Sequence, residues 1–226
     1  MSTGFTSCQA RTLRAAYEAA SAAVAGLGDA ESWQPTGCTG WAVRDLVFHC
    51  VQDAQRALVA LHTPTDEPAD RDWTTYWQDW APDTAGAANG RRWARVNGSM
   101  FLDFGQLKGL YLETLAAVVH AAGEADPERR VSTQGHVLTA GDLLTTLAVE
   151  ATVHHLDLTV ALPRAPRPSP EGLAAVRATL DGLLGRPAPQ EWSDARYARV
   201  ATGRAALTDA ERTALGPAAD RLPLFG

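Results

Sequence analysis

The chain has 226 residues, enough for one domain or for one domain with a small appendage. Hydrophobic residues make up 46% of it, so it can bury a sizeable core, and a formal net charge of −6 leaves no basic footprint for nucleic acid. The three scattered cysteines, Cys8, Cys38 and Cys50, are too few for a disulfide framework, and the first residues lack the basic-then-apolar pattern of a signal peptide.

Cys8 to Leu27 reads as a first helix, Ala-rich, with Leu13, Tyr17, Ala20, Val24 and Leu27 at helical spacing. Turn formers fill Gln34 to Gly40. A second helix runs from about Trp41 to Leu61 on the stripe Val43, Leu46, Val47, Cys50, Val51, Ala54, Leu58 and Leu61, and Pro64 stops it. A long connection to Gly86 carries Trp73, Tyr76, Trp77 and Trp80. A loop of that length is usually functional or mobile. A third helix is expected over about Arg91 to Ala122, with Gly98 and Gly105 as places to interrupt it.

Thr133-Gln-Gly-His136 makes a turn, and Thr139 with Asp142 three residues on resembles a capping box. The fourth helix spans about Ala140 to Ala161. Arg164 to Pro170 is a linker. Ser169 and Pro170 then supply an N-cap and a first helical residue for a helix that ends at Gly185. Trp192 to Val200 is expected to hold a short strand, and Thr208-Asp-Ala-Glu211 opens a last helix. The fold expected is mainly α: a four-helix bundle over residues 1–165, and a small α/β appendage over 166–226. The apolar stretch Leu143–Leu162 contains Glu150, His154, His155 and Asp157, which a membrane span would rarely carry, so a soluble, cytoplasmic protein is expected.

The chemistry lies in a split set of ligand-type residues. Glu150 and His154 are four apart on one helix, so both project from one face about 6 Å apart along the axis. His49, from the second helix, completes a set of two imidazoles and a carboxylate. That set suits zinc and leaves a fourth position open, as in catalytic rather than structural zinc sites. Each member has a bland alternative: a core histidine for His49, a helical hydrogen bond for the Glu-His pair. Glu150, however, sits between Val149 and Ala151, where an unpartnered carboxylate would cost several kcal/mol.

Around this set, Asp157 is either an acceptor for a ligand imidazole or a solvent-facing or helix-pairing carboxylate. Asp45 bonds the His49 ring, or pairs with Arg44 or a solvent-facing charge. His155 points elsewhere, and Cys50, about 100° round the helix from His49, is a buried structural cysteine. The Trp73–Trp80 cluster either lines a pocket, with Trp77 against a cofactor, or covers one end of the bundle.

The segments Gly40-Trp-Ala-Val-Arg-Asp-Leu-Val-Phe-His49, Leu138-Thr-Ala-Gly-Asp-Leu-Leu and Glu150-Ala-Thr-Val-His-His-Leu-Asp-Leu158 resemble the mycothiol-dependent maleylpyruvate isomerase family of the DinB-like metalloenzyme superfamily. The tail, with Thr202-Gly-Arg204, resembles the C-terminal region of many actinobacterial members. Ala42 departs from the pattern, where relatives often have Thr or Ser.

The resemblance implies a DinB-like bundle holding a divalent metal, usually zinc, on residues that map to His49, Glu150 and His154. It also implies Arg204 as the nearest match to a cofactor- or substrate-binding arginine. The implied activity is that of an S-transferase or cis–trans isomerase in which a metal-bound mycothiol thiolate attacks an electrophilic small molecule. The implied state is monomer or homodimer, with no nucleic-acid or membrane partner. Two other readings compete: a zinc hydrolase, for which Asp157 or His155 would be the general base, and a non-catalytic binding protein on the same bundle.

Overall fold

The helical periodicity of the sequence becomes four long helices that share one interior. The computed structural model describes residues 7–80, 85–189 and 191–225. Residues 1–6, part of the stretch inspected for a signal peptide, and 81–84, part of the long connection, lie outside the described residues.

Along the chain come α1 (Cys8–Ala25), the single turn α2 (Asp29–Ser32), α3 (Val43–Leu61), a 3-10 turn (Thr75–Asp79), α4 (Ala85–Gly98) and α5 (Phe104–Glu124). The hairpin β1 (Arg130–Thr133) and β2 (His136–Thr139) leads into α6 (Ala140–Leu158). After it come α7 (Pro170–Leu184), α8 (Asp194–Ala201), α9 (Asp209–Leu215) and a closing 3-10 turn (Gly216–Arg221).

α1 and α3 are the diagonal pair of the bundle: each packs against both α5 and α6. Leu13, Val43, Leu46, Phe104, Leu107, Val118 and Leu144 meet in the middle with no more than 1% exposure. Burying a side chain of this kind stabilises the fold by about 1.5–3 kcal/mol. The helix ends are fixed locally. Ser7 caps α1 by accepting from Ala10 N–H at 3.1 Å, and Thr139 caps α6 through Asp142 N–H at 3.0 Å. At α3, where Ala42 offers no side-chain cap, Asp45 reaches back to accept from Ala42 N–H at 2.9 Å.

α6 is apolar on both sides because it is covered on both sides. Leu143, Leu144 and Leu147 face the bundle. Val149, Val153 and Leu156 face a second cluster built from Val176 and Leu180 of α7, Tyr197 of α8, and Tyr76 and Trp77 of the first 3-10 turn. Gly172 permits the close approach of α7, since a Cβ there would collide with Thr152 Oγ1.

Three expectations change. The single third helix is two, α4 and α5, because Asp103 caps a new start by accepting from Gly105 N–H at 2.7 Å. Gly98 closes α4 where a Cβ would press on Arg44 and Asp45. The strand expected in Trp192–Val200 is instead α8, capped by Ser193, with Tyr197, Ala198, Val200 and Ala201 buried. The strands that are described form a two-residue hairpin upstream of α6, with Gln134 at φ 49° and Gly135 at φ 84°, the left-handed conformations such a loop demands. The tail after the linker is therefore helical among the described residues.

At α9 the capping box expected from Thr208 and Glu211 is present, and Arg196 of α8 adds a two-pronged pair to the same carboxylate, at 2.8 and 2.6 Å. These donors hold Glu211 down to about 2, below the ordinary glutamate value of about 4.3. A folded value below the unfolded one stabilises the fold above the unfolded value, and that contribution disappears as pH falls through the folded one. Glu211→Gln is therefore expected to lower the unfolding free energy at pH 7. The gap to the parent should narrow as pH falls from about 4 toward 2, measured by urea unfolding of both proteins across that range.

Candidate metal centre

α3 and α6 bring His49, Glu150 and His154 together where they face one another. His49 Nε2 lies 3.1 Å from His154 Nε2 and 3.4 Å from Glu150 Oε1, and His154 Nε2 lies 3.1 Å from Glu150 Oε1. Zinc bonds of about 2.0–2.2 Å at tetrahedral angles separate ligand atoms by about 3.3–3.6 Å. The three atoms are thus spaced as the edges of a coordination shell, with one corner left over.

The orientation of each ring is fixed from behind. Trp41, just before α3, lies against the His49 ring at 5.1 Å between centroids, and its own Nε1–H donates to Arg91 O at 3.1 Å. His154 donates Nδ1–H to Asp157 Oδ2 at 3.1 Å, which leaves its Nε2 lone pair toward the centre. Asp157, 1% exposed, is held in turn by Arg204, whose Nε and Nη2 both reach the carboxylate at 3.0 Å. Burial alone would raise the Asp157 value, but the His154 bond and the Arg204 charge win and hold it down to about 2.

The charge balance also suits a cation. Burial pushes the Glu150 carboxyl up, and the neighbouring His154 and His49 more than reverse this, holding it well below the usual range. The partners of Glu150 among the described residues are those two imidazoles, with no arginine or lysine. Asp53, one turn beyond His49, adds another carboxylate: Oδ2 is 3.1 Å from His49 Nε2, is buried and makes no hydrogen bond, while Oδ1 accepts from Arg56 at 2.8 Å. Two imidazoles, one carboxylate without a strong cation, and an orphaned buried oxygen beside them fit a divalent ion.

The other candidate residues fall into place as follows. Asp157 takes the imidazole-acceptor role, and the solvent-facing alternative is overturned by its burial. Asp45 caps α3 through Ala42 N–H, and Arg95 and Arg44 act on it by charge alone. His155 turns away, donating Nε2–H to Pro166 O at 2.9 Å. Cys50 borders an interior cavity, where burial pushes its thiol up to about 12.

Arg204 spends its guanidinium on Asp157 and, through Nη1, on Thr202 O. Trp77 is 5% exposed, stacks on Phe225 at 4.4 Å and donates Nε1–H to Trp73 O. Within the Trp73–Trp80 segment it is Tyr76, close enough to feel the charges of Glu150 and Asp53, that approaches the centre.

Cys38 was not legible. Its loop docks on the end of α6, where Gly37 N–H donates to Asp157 O at 2.9 Å and Cys38 S–H to Asp157 Oδ2 at 3.2 Å. Asp53 had a signal: His-x-x-x-Asp on α3 mirrors Glu-x-x-x-His on α6.

Fold and site together define a helical bundle with a histidine–carboxylate centre between two facing helices. The family model described as mycothiol maleylpyruvate isomerase N-terminal domain matches residues 13–159, and the chain belongs to that family. Among solved structures, a mycothiol-dependent maleylpyruvate isomerase is similar at 18% identity and a TM-score of 0.59, over 87% of this chain and 88% of that one. A variant of that enzyme with one histidine replaced by alanine is similar over the same shares at a TM-score of 0.60. No curated protein matches the chain. No helix among the described residues is long and apolar enough to cross a membrane.

Asp157→Asn is expected to weaken divalent-metal binding by about 10–100-fold, because the His154 ring loses the carboxylate that orients it. Gly37→Ala should act in the same direction, since the new Cβ would meet Asp157 Oδ1 and lift the loop. Competition titrations against a chelator check both. Unchanged affinity in Asp157→Asn would show that the carboxylate does not orient the ring.

Proposed function

We propose that this protein uses mycothiol, or a thiol like it, and a divalent cation, zinc by preference, to attack an electrophilic small molecule. The product is either a conjugate, as in an S-transferase, or the other geometric isomer of the substrate. The observation that carries this is the set of three ligand-type atoms on two facing helices, one of them oriented by a buried carboxylate, in a member of this family. His49, Glu150 and His154 would hold the cation, and zinc is favoured by two imidazoles with one carboxylate. A bound divalent ion supplies Lewis acidity, which ionises a thiol at neutral pH that would otherwise be protonated below about 8.5.

The chain's own residues do the rest. Trp41 and Asp157 fix the two imidazoles in the required orientation and tautomer before substrate arrives. Leu46, Leu115 and Leu147 give the interior side of the centre an apolar wall. The cysteines near the site do not replace the external thiol. Burial raises both Cys38 and Cys50, and Cys38 is engaged with Asp157. The hydrolase alternative is weakened by the same geometry: Asp157 is saturated by Arg204 and His154, and His155 faces Pro166. The setting proposed is cytoplasmic, with a low-molecular-weight thiol and a small electrophile as partners.

Protein supplied with zinc is expected to hold about one ion per chain. His49→Ala or His154→Ala should lose it while far-ultraviolet circular dichroism stays close to the parent. Turnover of maleylpyruvate is expected only with mycothiol present, and to be lost in Glu150→Gln. Equal turnover without thiol would establish the hydrolase reading. Metal retention with neither thiol binding nor turnover would establish the binding-protein reading.

A further inference from the structure

Two of the three ligand-type residues border something deeper. A cavity of about 30 Å³ runs from Glu150, His154 and Asp53 into the bundle between α1, α3, α5 and α6. Beyond those three its lining is mostly apolar, with Cys50, His155 and two phenols, Tyr17 of α1 and Tyr111 of α5, among it. Tyr17 is 4% exposed, yet no described residue hydrogen-bonds its hydroxyl. That hydroxyl is not one of the fully buried, unpartnered side-chain atoms, so it opens onto the cavity, where a group that enters can join it. Burial, reinforced by the charges of Asp53, Cys50 and Glu150, keeps the phenol protonated far above neutral pH. Tyr111 is one step further in: the groups it feels are Cys50 and Tyr17, not the triad.

We propose that Tyr17 is a catalytic residue, the hydrogen-bond donor to the carbonyl oxygen of the electrophile. This rests on the reading of the centre as one that adds a thiol to an activated double bond. In that reaction the thiolate sulfur forms a C–S bond to one alkene carbon. The π pair moves through the conjugated carbonyl to its oxygen, giving an enolate. The former double bond, now single, rotates. The electron pair returns, the C–S bond breaks and the thiolate leaves, with no net gain or loss of protons. Negative charge collects chiefly on the carbonyl oxygen, and a neutral O–H placed beside it stabilises it without having to transfer its proton. The assignment requires a substrate that places its carbonyl oxygen at the mouth of the cavity, beside Tyr17.

The test uses zinc-loaded protein, parent and Tyr17→Phe, with two readouts. Turnover of maleylpyruvate with mycothiol should fall by about 10²–10³ in kcat, the usual cost of one such donor. Binding of oxalate, a planar anion whose oxygens stand in for the enolate oxygen, should weaken by about tenfold in calorimetry, as for a lost hydrogen bond to a charged group. Zinc content and mycothiol affinity should not change, and Tyr111→Phe should leave both readouts close to the parent. Parent-like kcat and oxalate affinity in Tyr17→Phe would overturn the proposal. So would a loss of turnover with oxalate affinity unchanged. If the parent itself does not turn over maleylpyruvate, the reading of the reaction fails, and the oxalate comparison alone decides for or against Tyr17.

Discussion

One buried carboxylate, Asp157, ties three distant stretches of chain to the centre. It receives His154 Nδ1–H from its own helix, Cys38 S–H from the loop before α3, and two N–H groups of Arg204 from the tail. An ionised carboxylate 1% exposed would cost several kcal/mol if its partners were removed, so each stretch depends on the others. The family model ends at residue 159, while the counter-charge that lets Asp157 stay ionised comes from residue 204. The bundle therefore carries the three ligand-type side chains, but the orientation of one of them is completed by the tail.

α6 explains how the tail reaches that position. A bundle helix with one wet face would end the protein at α6. Val149, Val153 and Leu156 give it a second apolar face, and α7 and α8 cover it. Ser193 caps α8, Arg177 of α7 pairs with Asp194 at its start, and the turn after Ala201 then delivers Arg204 to Asp157. The charged end of the device is thus positioned by apolar packing two helices away, which has no directional preference of its own and gains direction only through helix register.

What the sequence disclosed follows the range of each interaction. The positions of α1, α3, α6 and α7, the caps at Thr139, Ser169 and Thr208, and the pairing of Glu150 with His154 are set within a turn or two of chain, and these were legible. The meeting of His49 with that pair needed only that two amphipathic helices pack as neighbours. Cys38 was not legible, because nothing around it signals that its loop docks on the last turn of α6. Arg204 was singled out by resemblance, but its partner Asp157 lies 47 residues away, and only the packing of α7 and α8 joins them. The strand expected near Trp192 failed for a local reason: its buried positions, Tyr197, Ala198, Val200 and Ala201, follow a helical period once Ser193 is recognised as a cap.

The choice of donors around the centre follows from its charge. Glu150 and Asp53 stand at the rim, and Asp157 lies just behind His154. An arginine or lysine placed in the cavity at the position of Tyr17 would be drawn to Glu150 and Asp53, and would compete with a metal ion for Glu150. A phenol avoids that conflict. Its hydroxyl can stabilise developing negative charge at full strength in a site of low polarity, and it brings no positive charge of its own to neutralise the carboxylates. The surroundings that would make a buried cation self-defeating here are the same ones that keep Tyr17 protonated, since both effects arise from nearby carboxylates in a desolvated space. A centre built to attract one cation is therefore best served by a neutral donor, and the residue that α1 turns inward at this level is a tyrosine.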